Sequence, residues 1–415
     1  MSKLTKYKFS DLYEMSSGIS SSKQQAGHGS PFISFSTVFN NYFLPEELPD
    51  LMDTSLKEQE IFSVKKDDVF ITRTSETVDA LAMSCVAVKD YPKATFSGFV
   101  KRLRPKTTGI VYSKYIAFFL RSKYFRKVLD CNTIMTLRAS FNEDMFSFLY
   151  LYLPDYEEQV RIGDLLYKME MKIRTNNKIN DNLEQQAKLI YDYWFTQFDF
   201  PDENGKPYCS SGGKMVWNEQ LKRNIPENWN VVPLLKLVSW ESNSQPPKSE
   251  FVYEPKEGYV RFIQNRDYDS DTHITYIPRT KNLSIVDRFD ILMDKYGDAG
   301  AVRYGIEGAF NVALGKICVH NPNYREYIRS FLGSDGIYKF LHNSCMASTR
   351  ASLSEANLEI LNVVVPDEKI ILDYENFLHK IRVSILKNKD ETVELINLRD
   401  WLLPMLMNGQ ATISD

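Results

Sequence analysis

The chain has 415 residues, of which 43% are hydrophobic and 25% charged, and its formal net charge is −3. This length predicts two to three domains, and the nearly neutral charge argues against a non-specific nucleic-acid coat, which would be strongly basic. Because the sequence has no bilayer-length apolar run, no signal-peptide core and no C-x-x-C motif among its five cysteines, we expect a cytoplasmic protein without a membrane anchor, zinc site or disulfide framework.

Residues 1–153 form a first segment of mixed strands and turns. Short β-rich runs predict strands at Phe32–Phe35, Asp68–Thr72 and Cys85–Val88. The glycine-containing stretch Ser16–Pro31 indicates a loop, and a helix is expected over Ser113–Val128.

A basic run lies within this segment, between Tyr91 and Leu129, and contains no acidic residue. Its lysines and arginines are Lys93, Lys101, Arg102, Arg104, Lys106, Lys114, Arg121, Lys123, Arg126 and Lys127. The pattern fits either an ordinary solvated face or a surface that contacts DNA phosphates, with aromatic residues interleaved.

Residues 154–198 predict a long helix that begins with a capping box, in which Asp155 precedes Glu158 by three residues. From Asp155 to Gln197 the helix would be roughly 64 Å long at 1.5 Å per residue. The apolar positions Ile162, Leu166, Met169 and Ile173, followed by Leu183, Ala187, Ile190 and Trp194, alternate spacings of four and three, which is typical of a helix that packs on another helix. Only Asn176 and Asn180 interrupt this pattern. The stripe consists of Ile162, Leu166, Met169, Ile173, Asn176, Leu183, Ile190 and Trp194.

Turn-forming residues are dense in residues 199–229, which predicts a connector without regular structure. Residues 230–365 repeat the character of the first segment. Strands are expected at Val260–Gln264 and Asp290–Met293, and a strand or short helix at Val231–Val238.

Residues 366–409 predict a second long helix over Asp367–Leu403, which Pro404 disturbs and Gly409 stops. Its interface stripe consists of Leu378, Ile381, Ile385, Asn388, Leu395 and Leu402. A helix with such a stripe needs a packing partner. We therefore expect the two helices to form an antiparallel coiled coil in which Asn176 and Asn388 meet and fix the register; the alternative is two separate core helices.

An internal repeat supports this pairing, because an offset of 212 residues aligns distant parts of the chain without a gap. Tyr115-Ile116-x-x-Phe119-Leu120-x-Ser122 matches Tyr327-Ile328-x-x-Phe331-Leu332-x-Ser334, Arg138-Ala139-Ser140 matches Arg350-Ala351-Ser352, and Asn176 matches Asn388. A duplicated plan of this kind suits a pseudo-two-fold protein on duplex DNA.

Catalytic motifs are not found in the sequence. The Pro246-Pro247 pair lacks the neighbours of an adenine methyltransferase motif, and the stretch before Lys316 has the wrong spacing for a P-loop. The histidines show no zinc-binding spacing, and there is no nucleophile elbow. We therefore expect a non-catalytic protein.

The organisation resembles the specificity subunit of a bacterial type I restriction–modification enzyme over essentially the whole chain. The similar motifs are Leu153-Pro154-x-x-x-Glu158-Gln159, Trp194-Phe195, Asn204-Gly205-Lys206-Pro207, Pro226-x-x-Trp229 and Leu402-Leu403-Pro404-x-Leu406-x-x-Gly409. The second helix opening, Pro366–Ile370, departs from the pattern because it lacks the Glu-Gln pair.

This resemblance implies an α+β fold with two target-recognition domains, residues 1–153 and 230–365, separated by the antiparallel helices. Each domain would read one half of a bipartite site in double-stranded DNA, and the helices would set the spacer. Two modification subunits using S-adenosylmethionine would methylate adenine N6, and two restriction subunits using ATP and magnesium would join them. The chain itself would bind none of these cofactors.

Candidate DNA-binding residues follow from charge and strand ends. In the first domain we predict phosphate contacts from Lys101, Arg102, Arg104 and Lys106 and a base-reading loop at Arg73, Thr74 and Ser75. In the second domain, an offset of 222 pairs Asp68 with Asp290, and the candidates are Lys295, Tyr296, Arg261, Gln264, Asn265 and Arg266. Arg138 and Arg350 recur in both copies and would hold a loop or touch phosphate. The rival functions are a cytoplasmic coiled-coil scaffold without DNA specificity and a fused enzyme.

Overall fold

A computed structural model describes residues 4–20, 22–75, 81–132, 139–269, 273–346 and 352–413. The chain divides into two compact units, Met1–Thr175 with Glu391–Asp415, and Asn176–Asp390. The long helices α7 (Tyr156–Tyr191) and α11 (Glu368–Met407) each contribute to both units. In the described ranges, no helix combines the length and apolarity needed to cross a membrane.

The first unit contains eleven strands and six shorter α-helices among its described residues. The strands are β1 (Thr5–Lys8), β2 (Tyr13–Ser17), β3 (Ala26–Ile33), β4 (Asp50–Met52), β5 (Val69–Thr72), β6 (Thr74–Ser75), β7 (Ser84–Val86), β8 (Thr95–Phe96), β9 (Val100–Pro105), β10 (Ala139–Ser140) and β11 (Tyr150–Leu153). The helices are α1 (Phe9–Leu12), α2 (Phe35–Asn40), α3 (Leu56–Ile61), α4 (Ser113–Phe119), α5 (Lys123–Asn132) and α6 (Glu143–Phe148).

The strands of the first unit form small sheets. An antiparallel four-stranded sheet has the order β2-β9-β5-β7, and a second sheet has the order β4-β3-β8 with β3 parallel to β8. The ladder β1–β11 joins the start of the unit to the strand that precedes α7. The apolar core between these elements includes Ile162 and Leu166 of α7 and Leu406 of α11, so both long helices complete this core.

After the end of α7, the second unit has a hairpin and then repeats this plan. Its strands are β12 (Met215–Asn218), β13 (Arg223–Pro226), β14 (Asn230–Pro233), β15 (Val238–Glu241), β16 (Tyr259–Ile263), β17 (Tyr276–Pro278), β18 (Ile285–Val286), β19 (Ile291–Asp294), β20 (Val302–Arg303), β21 (Gly308–Phe310), β22 (Leu314–Val319) and β23 (Asn362–Val365). Its shorter α-helices are α8 (Arg325–Leu332), α9 (Asp335–Met346) and α10 (Glu355–Leu358).

The sheets of the second unit correspond to those of the first. The antiparallel sheet has the order β15-β22-β19-β20, the sheet β17-β16-β21-β18 contains the parallel pair β16–β21, and β14 pairs with the strand that precedes α11. Its core includes Ala187 and Tyr191 of α7 and Tyr374 and Leu378 of α11. The predicted duplication is therefore present at the level of strand order.

Several predicted elements differ from the structure. The helix expected over Ser113–Val128 is two helices, α4 and α5, because the Ser122 hydroxyl donates to the Phe119 carbonyl and accepts from the Phe125 amide. The loop expected at Ser16–Pro31 contains most of β3, whose Gly29 has a φ of +95° and lies against the backbone of Met52.

Two further corrections concern the connector and the C-terminal helix. The connector at 199–229 contains the hairpin β12–β13, in which Val216 pairs with Ile225. The residues 231–238 form both a strand and a 3₁₀ turn, Leu234–Lys236. The helix α11 continues through Pro404 to Met407, and the chain turns at Gly409, which has a φ of +67°.

The two long helices contact each other within the first unit. The guanidinium Nη1 of Arg399 lies 2.9 Å from Glu170 Oε2, and Lys172 Nζ lies 3.1 Å from Glu391 Oε2. At the start of α7, Asp155 Oδ1 accepts from the Glu158 amide at 2.8 Å, which is one half of the predicted capping box. The Glu158 side chain accepts from Arg161 Nε at 2.9 Å.

The same helices also contact each other within the second unit. Asn176 Nδ2 lies 3.5 Å from the Asn388 carbonyl, and Asn388 Nδ2 donates to Asn180 Oδ1 at 2.9 Å. Further along, Arg382 pairs with Glu184. Partner numbers fall on α11 as they rise on α7, so the pairing in each unit is antiparallel, and the predicted meeting of Asn176 with Asn388 is confirmed.

The predicted helix stripes are buried or partly buried. Eight stripe residues are buried: Ile162, Leu166, Met169, Ile173, Asn176, Leu378, Ile381 and Ile385. Six are partly buried: Leu183, Ile190, Trp194, Asn388, Leu395 and Leu402. Much of the stripe belongs to the cores of the two units, so it packs against the globular parts as well as against the other helix.

Candidate nucleic-acid interface

The predicted base-reading loop of the first unit is the end of strand β5, and its backbone is held firmly. The amide of Arg73 donates to the Phe99 carbonyl at 2.9 Å, and the Arg73 carbonyl accepts from the Phe141 amide at 2.8 Å. The two following residues form β6, which pairs with β10. The Arg73 side chain is exposed, with Nη1 3.5 Å from the Gly98 carbonyl. A fixed backbone thus presents a solvent-accessible guanidinium.

The same arrangement occurs in the second unit at the end of strand β19. The amide of Lys295 donates to the Ala313 carbonyl at 2.8 Å, and its carbonyl accepts from the Leu353 amide at 3.0 Å. Tyr296 is 49% exposed, and Gly297 has a φ of +74°, which glycine adopts without strain. The predicted offset of 222 therefore places Arg73 and Lys295 at equivalent backbone positions.

The second predicted cluster of this unit surrounds a 3₁₀ turn, Asn265–Tyr268. The buried carboxylate of Asp267 accepts from the Gln264 amide at 3.2 Å and lies 3.8 Å from Arg261 Nη2. The Gln264 side-chain amide donates to the Thr275 hydroxyl at 3.1 Å. Arg261 and Gln264 thus help to build the turn.

Arg266 is the most exposed member of this cluster. Its side chain is 53% exposed, with Nε 4.0 Å from Asp267 Oδ1 and Nη2 3.4 Å from the His273 carbonyl. A guanidinium so weakly held can turn towards a ligand such as DNA. Arg266 therefore fits a contact residue better than the partly buried Arg261, Gln264 and Asn265 do.

A buried carboxylate that the sequence analysis did not identify links this turn to Lys295. Asp294 is the last residue of β19, directly before Lys295, and is 1% exposed, and the nearby Asn265 side chain favours its ionised form. Burial raises the pKa of Asp294, and the Arg303 guanidinium, 2.9 Å away, opposes that shift. The only sequence signal was the position of Asp294 between a buried strand and a turn.

The predicted phosphate contacts of the first unit lie elsewhere than expected. Lys101 and Arg102 are on the central strand β9 and are buried, at 7% and 9% exposure. Lys101 Nζ donates to the Ser17 hydroxyl at 2.9 Å, and Arg102 Nη1 donates to the Ser63 carbonyl at 2.6 Å. The expectation that these two side chains lie on the surface is wrong, because the sheet encloses both and the protein supplies their acceptors.

Other arginines of the basic run also have internal partners. Arg104 forms a bidentate ion pair with Asp68, at 2.7 and 2.6 Å, and Asp68 is fully buried. Arg121 donates to the carbonyls of Ser84, Val38, Phe39 and Asn41. Arg126 likewise donates to backbone carbonyls, including that of Ala82 at 3.0 Å. These guanidinium groups satisfy buried backbone acceptors, which a charge count cannot reveal.

Four lysines of the run are exposed: Lys93, Lys106, Lys123 and Lys127. Lys106 Nζ donates to the Ser10 carbonyl at 2.8 Å but remains on the surface. The exposed part of the run is thus made of lysines, which suit non-specific phosphate contacts. Phe99, which is 64% exposed beside Arg73, is a further candidate that the sequence analysis missed.

Two predicted residues, Arg138 and Arg350, lie outside the described residues. Within the described ranges, no group of three or more histidine, cysteine, aspartate or glutamate residues could hold a metal ion. The candidate interface therefore rests on the strand ends at Arg73 and Lys295, on the 265–268 turn and on the exposed lysines.

Comparison with known proteins identifies similar families and folds. Residues 1–185 match the family model of the type I restriction modification DNA specificity domain. The chain is 23% identical to the specificity subunit of the type I restriction enzyme MjaIX from Methanocaldococcus jannaschii, covering 80% of this chain and 76% of that one. It is also 23% identical to the HindI specificity subunit from Haemophilus influenzae, covering 91% and 94% of the two chains.

A solved structure shows the same fold. The crystal structure of the S subunit of a type I restriction–modification system from M. genitalium superposes with a TM-score of 0.64, covering 98% of this chain and 96% of that chain at 14% identity. The arrangement of mixed domains with long helices is therefore shared along nearly the full length of both chains.

Proposed function

We propose that this chain, which belongs to the specificity subunits of type I restriction–modification enzymes, directs adenine methylation to a DNA site that it reads in two halves. In general terms, its function is to recognise a DNA sequence. The finer proposal is that the first unit reads one half-site and the second unit reads the other.

One observation carries this proposal. Arg73 and Lys295 have the same backbone hydrogen bonds in their units, but the residues that follow are Thr74 and Ser75 in one case and Tyr296 and Gly297 in the other. Because the backbone is held in the same way but the side chains differ, the two units are suited to recognise two different half-site sequences. Major-groove edges distinguish all four base pairs, so a few such side chains are sufficient to define a half-site.

The long helices would set the unread spacer between the half-sites. Each helix contributes to the cores of both units, and residues on each helix contact the other in both. A helix has a fixed rise of about 1.5 Å per residue, so its length defines a distance.

Partner subunits would supply the chemistry. We propose that two modification subunits methylate adenine N6 with S-adenosylmethionine, and that two restriction subunits with ATP and magnesium join them. The chain itself would be a cytoplasmic, non-catalytic member of this complex that binds none of these cofactors.

A domain exchange tests whether each unit recognises its own half-site independently of the other. The chain is co-expressed with a modification subunit, and methyladenine is mapped before and after residues 1–153 are replaced by the corresponding domain of another specificity subunit. We expect one half of the methylated site to change. The reciprocal exchange of 230–365 should change the other half, and a change in both halves or neither would contradict the proposal. If neither the original chain nor the exchanged chain bound DNA, the alternative function as a coiled-coil scaffold without DNA specificity would be favoured.

A helix deletion tests the spacer. Removing seven residues from both α7 and α11 keeps the helical stripe in register and shortens each helix by about 10 Å. We expect the half-sites to stay the same while the spacer shortens by about three base pairs. Loss of one half-site, with the spacer unchanged, would contradict this role of the helices.

A further inference from the structure

Ion pairs join the long helices, and in the two that involve an arginine the carboxylate is on α7 and the guanidinium on α11. The pair of Lys172 with Glu391 has the opposite sense, but its side chains are 49% and 43% exposed. In the first unit, Glu170 of α7 pairs with Arg399 of α11 at 2.9 Å, and their side chains are 13% and 12% exposed. In the second unit, Glu184 of α7 pairs with Arg382 of α11, whose side chain is 6% exposed. At these positions α7 thus contributes carboxylates and α11 contributes guanidinium groups.

The internal repeat shows that this difference in sign is a departure from an otherwise conserved pattern. The offset of 212 aligns Leu166 with Leu378, Ile173 with Ile385 and Asn176 with Asn388. The same offset aligns Glu170 with Arg382. The two helices therefore share an apolar stripe and a central asparagine, but carry opposite charges at this repeated position.

Opposite charges determine which helices can pair. If α7 of one chain packed antiparallel on α7 of a second copy in the observed register, Glu170 would replace Arg382 and would face Glu184. If α11 packed on α11 of a second copy, Arg382 would replace Glu170 and would face Arg399. By symmetry, each of these pairings would place two like-charged contacts between the helices.

We infer that these two ion pairs are a pairing code, which lets α7 and α11 bind each other and prevents either helix from binding the same helix of a second copy of this chain. The similar stripes make such a code necessary, because apolar residues at matching positions allow either kind of pairing. The code acts by attraction between α7 and α11 of one chain, and also by repulsion between like-charged helices of two copies.

The asparagines cannot supply this discrimination. Asn388 contacts Asn180, and the residue equivalent to Asn388 in α7 is Asn176. An α7–α7 pair would therefore retain an asparagine contact. The asparagines therefore set the alignment of the two helices, whereas the ion pairs determine which helix pairs with which.

Burial makes the code effective. Arg382 Nε also lies 3.0 Å from Glu326, which is 1% exposed, so this guanidinium is held in place. Arg399 lies over the ring of Tyr42, with 5.2 Å between the guanidinium carbon and the ring centroid. In an α11–α11 pair, these two guanidinium groups could not turn away from each other into water, so their repulsion would be only weakly screened. In an α7–α7 pair, Glu170 is the more buried of the two facing carboxylates, since its side chain is 13% exposed and that of Glu184 is 43% exposed.

A charge exchange distinguishes a role of these ion pairs in partner choice from a role that only stabilises the folded chain. In the double variant Glu170→Arg with Arg399→Glu, the ion pair within the chain is retained with its sign reversed. Each helix then becomes complementary to itself, because the new arginine at position 170 can pair with Glu184 of a second copy, and the new glutamate at position 399 with Arg382. The variant thus keeps the attraction within the chain and loses the discrimination.

The experiment uses full-length chains refolded from urea at tens of micromolar, as a mixture of ¹⁴N-labelled and ¹⁵N-labelled copies. Light scattering coupled to size-exclusion chromatography gives the dimer fraction, and lysine crosslinking with mass spectrometry identifies α7–α7 peptides between copies. We expect the dimer fraction of the double variant to exceed that of the wild type roughly tenfold, with α7–α7 or α11–α11 crosslinks between copies.

Glu170→Gln is the matched control, since it removes the ion pair without making α7 complementary to itself, and we expect it to remain as monomeric as the wild type. Glu184→Arg is a second variant at a 43% exposed side chain, and it should also give α7–α7 crosslinks. Equal dimer fractions in the wild type and in both charge variants, with the urea midpoints showing that the variants are folded, would overturn the inference. Dimers of Glu170→Gln as abundant as those of the double variant would also overturn it.

Discussion

Arg73 and Lys295 are 222 positions apart, yet each donates its amide to one carbonyl and accepts from one amide in the same arrangement at the end of a central strand. The equivalence is one of backbone geometry, since the two side chains differ. It places a basic residue at the same point of each unit.

Replacing these residues should therefore weaken recognition one half-site at a time. We expect Arg73→Ala to cost about 1–3 kcal/mol of binding free energy on the half-site read by the first unit, and Lys295→Ala to have its effect on the other half. Fluorescence anisotropy of the complex with modification subunits, on duplexes with either half-site scrambled, measures both. Lys206→Ala, at an exposed lysine of the connector, is the control, and an equal loss from this variant would contradict the assignment.

Arg104→Ala should act on stability rather than on DNA contact. Removing its guanidinium leaves the fully buried Asp68 carboxylate without its bidentate partner, at a cost of about 3–5 kcal/mol of unfolding free energy. Urea unfolding measures this loss. The exposed Lys106 gives the matched control Lys106→Ala, which should change stability by less than about 0.5 kcal/mol. A weaker salt dependence of DNA binding in the folded Arg104→Ala protein would instead support the original phosphate role.

The asparagines between the long helices should show energetic coupling. Asn388 Nδ2 donates to Asn180 Oδ1 at 2.9 Å, so Asn180→Ala and Asn388→Ala should each cost about 1 kcal/mol. Because each substitution breaks the same hydrogen bond, the double variant should lose less than the sum, with a coupling of about 0.5–1.5 kcal/mol. Urea unfolding of the four proteins tests this, with Asn177→Ala at an exposed position of α7 as control. Strict additivity would contradict the contact.

Glu375 should make the stability of the protein depend on pH. Burial raises the pKa of its carboxyl to about 7, while the Glu326 amide, which donates to it at 2.8 Å, opposes the shift. The folded state therefore binds the proton more tightly than the unfolded state, whose pKa is near 4.5. The stabilisation is complete below pH 4.5 and is lost as the pH rises through 7.

Glu375→Gln should remove this dependence, because the amide stays neutral and can still accept from Glu326. We expect the variant to gain about 1–2 kcal/mol relative to the wild type between pH 5 and pH 8, allowing for partial exposure of the side chain. Urea unfolding at the two pH values measures the difference. A constant difference between the two proteins across this range would show that Glu375 is ionised throughout.

The long helices were the most predictable part of the fold, because their signals are local and repeated. The cap at Asp155 and the stripe that includes Leu166 and Ile385 are visible in the sequence and are confirmed. The break between α4 and α5 was missed because the Ser122 hydroxyl, rather than a glycine or proline, ends one helix and begins the next.

The candidate site was only partly predictable. The end of a strand can be inferred from the local pattern of apolar and polar residues, so the position of Arg73 after β5 could be predicted. The offset of 222 that pairs Arg73 with Lys295 could be inferred in the same way. The roles of Lys101 and Arg102 could not, since strand β9 is paired along both edges with strands distant in sequence, β2 and β5, and the acceptors of these two side chains are Ser17 and Ser63. Charge composition reports how many guanidinium groups exist, but not whether their acceptors are carbonyls of the same chain.

The anchoring of Arg73 and Lys295 through main-chain atoms has an evolutionary consequence. Those hydrogen bonds exist whatever side chain occupies the position, so a substitution there leaves the support of the strand end intact. Mutation can therefore change the side chains at these two positions at little risk to folding. Under the proposed function, such a change would give the chain a new target while its architecture stayed the same.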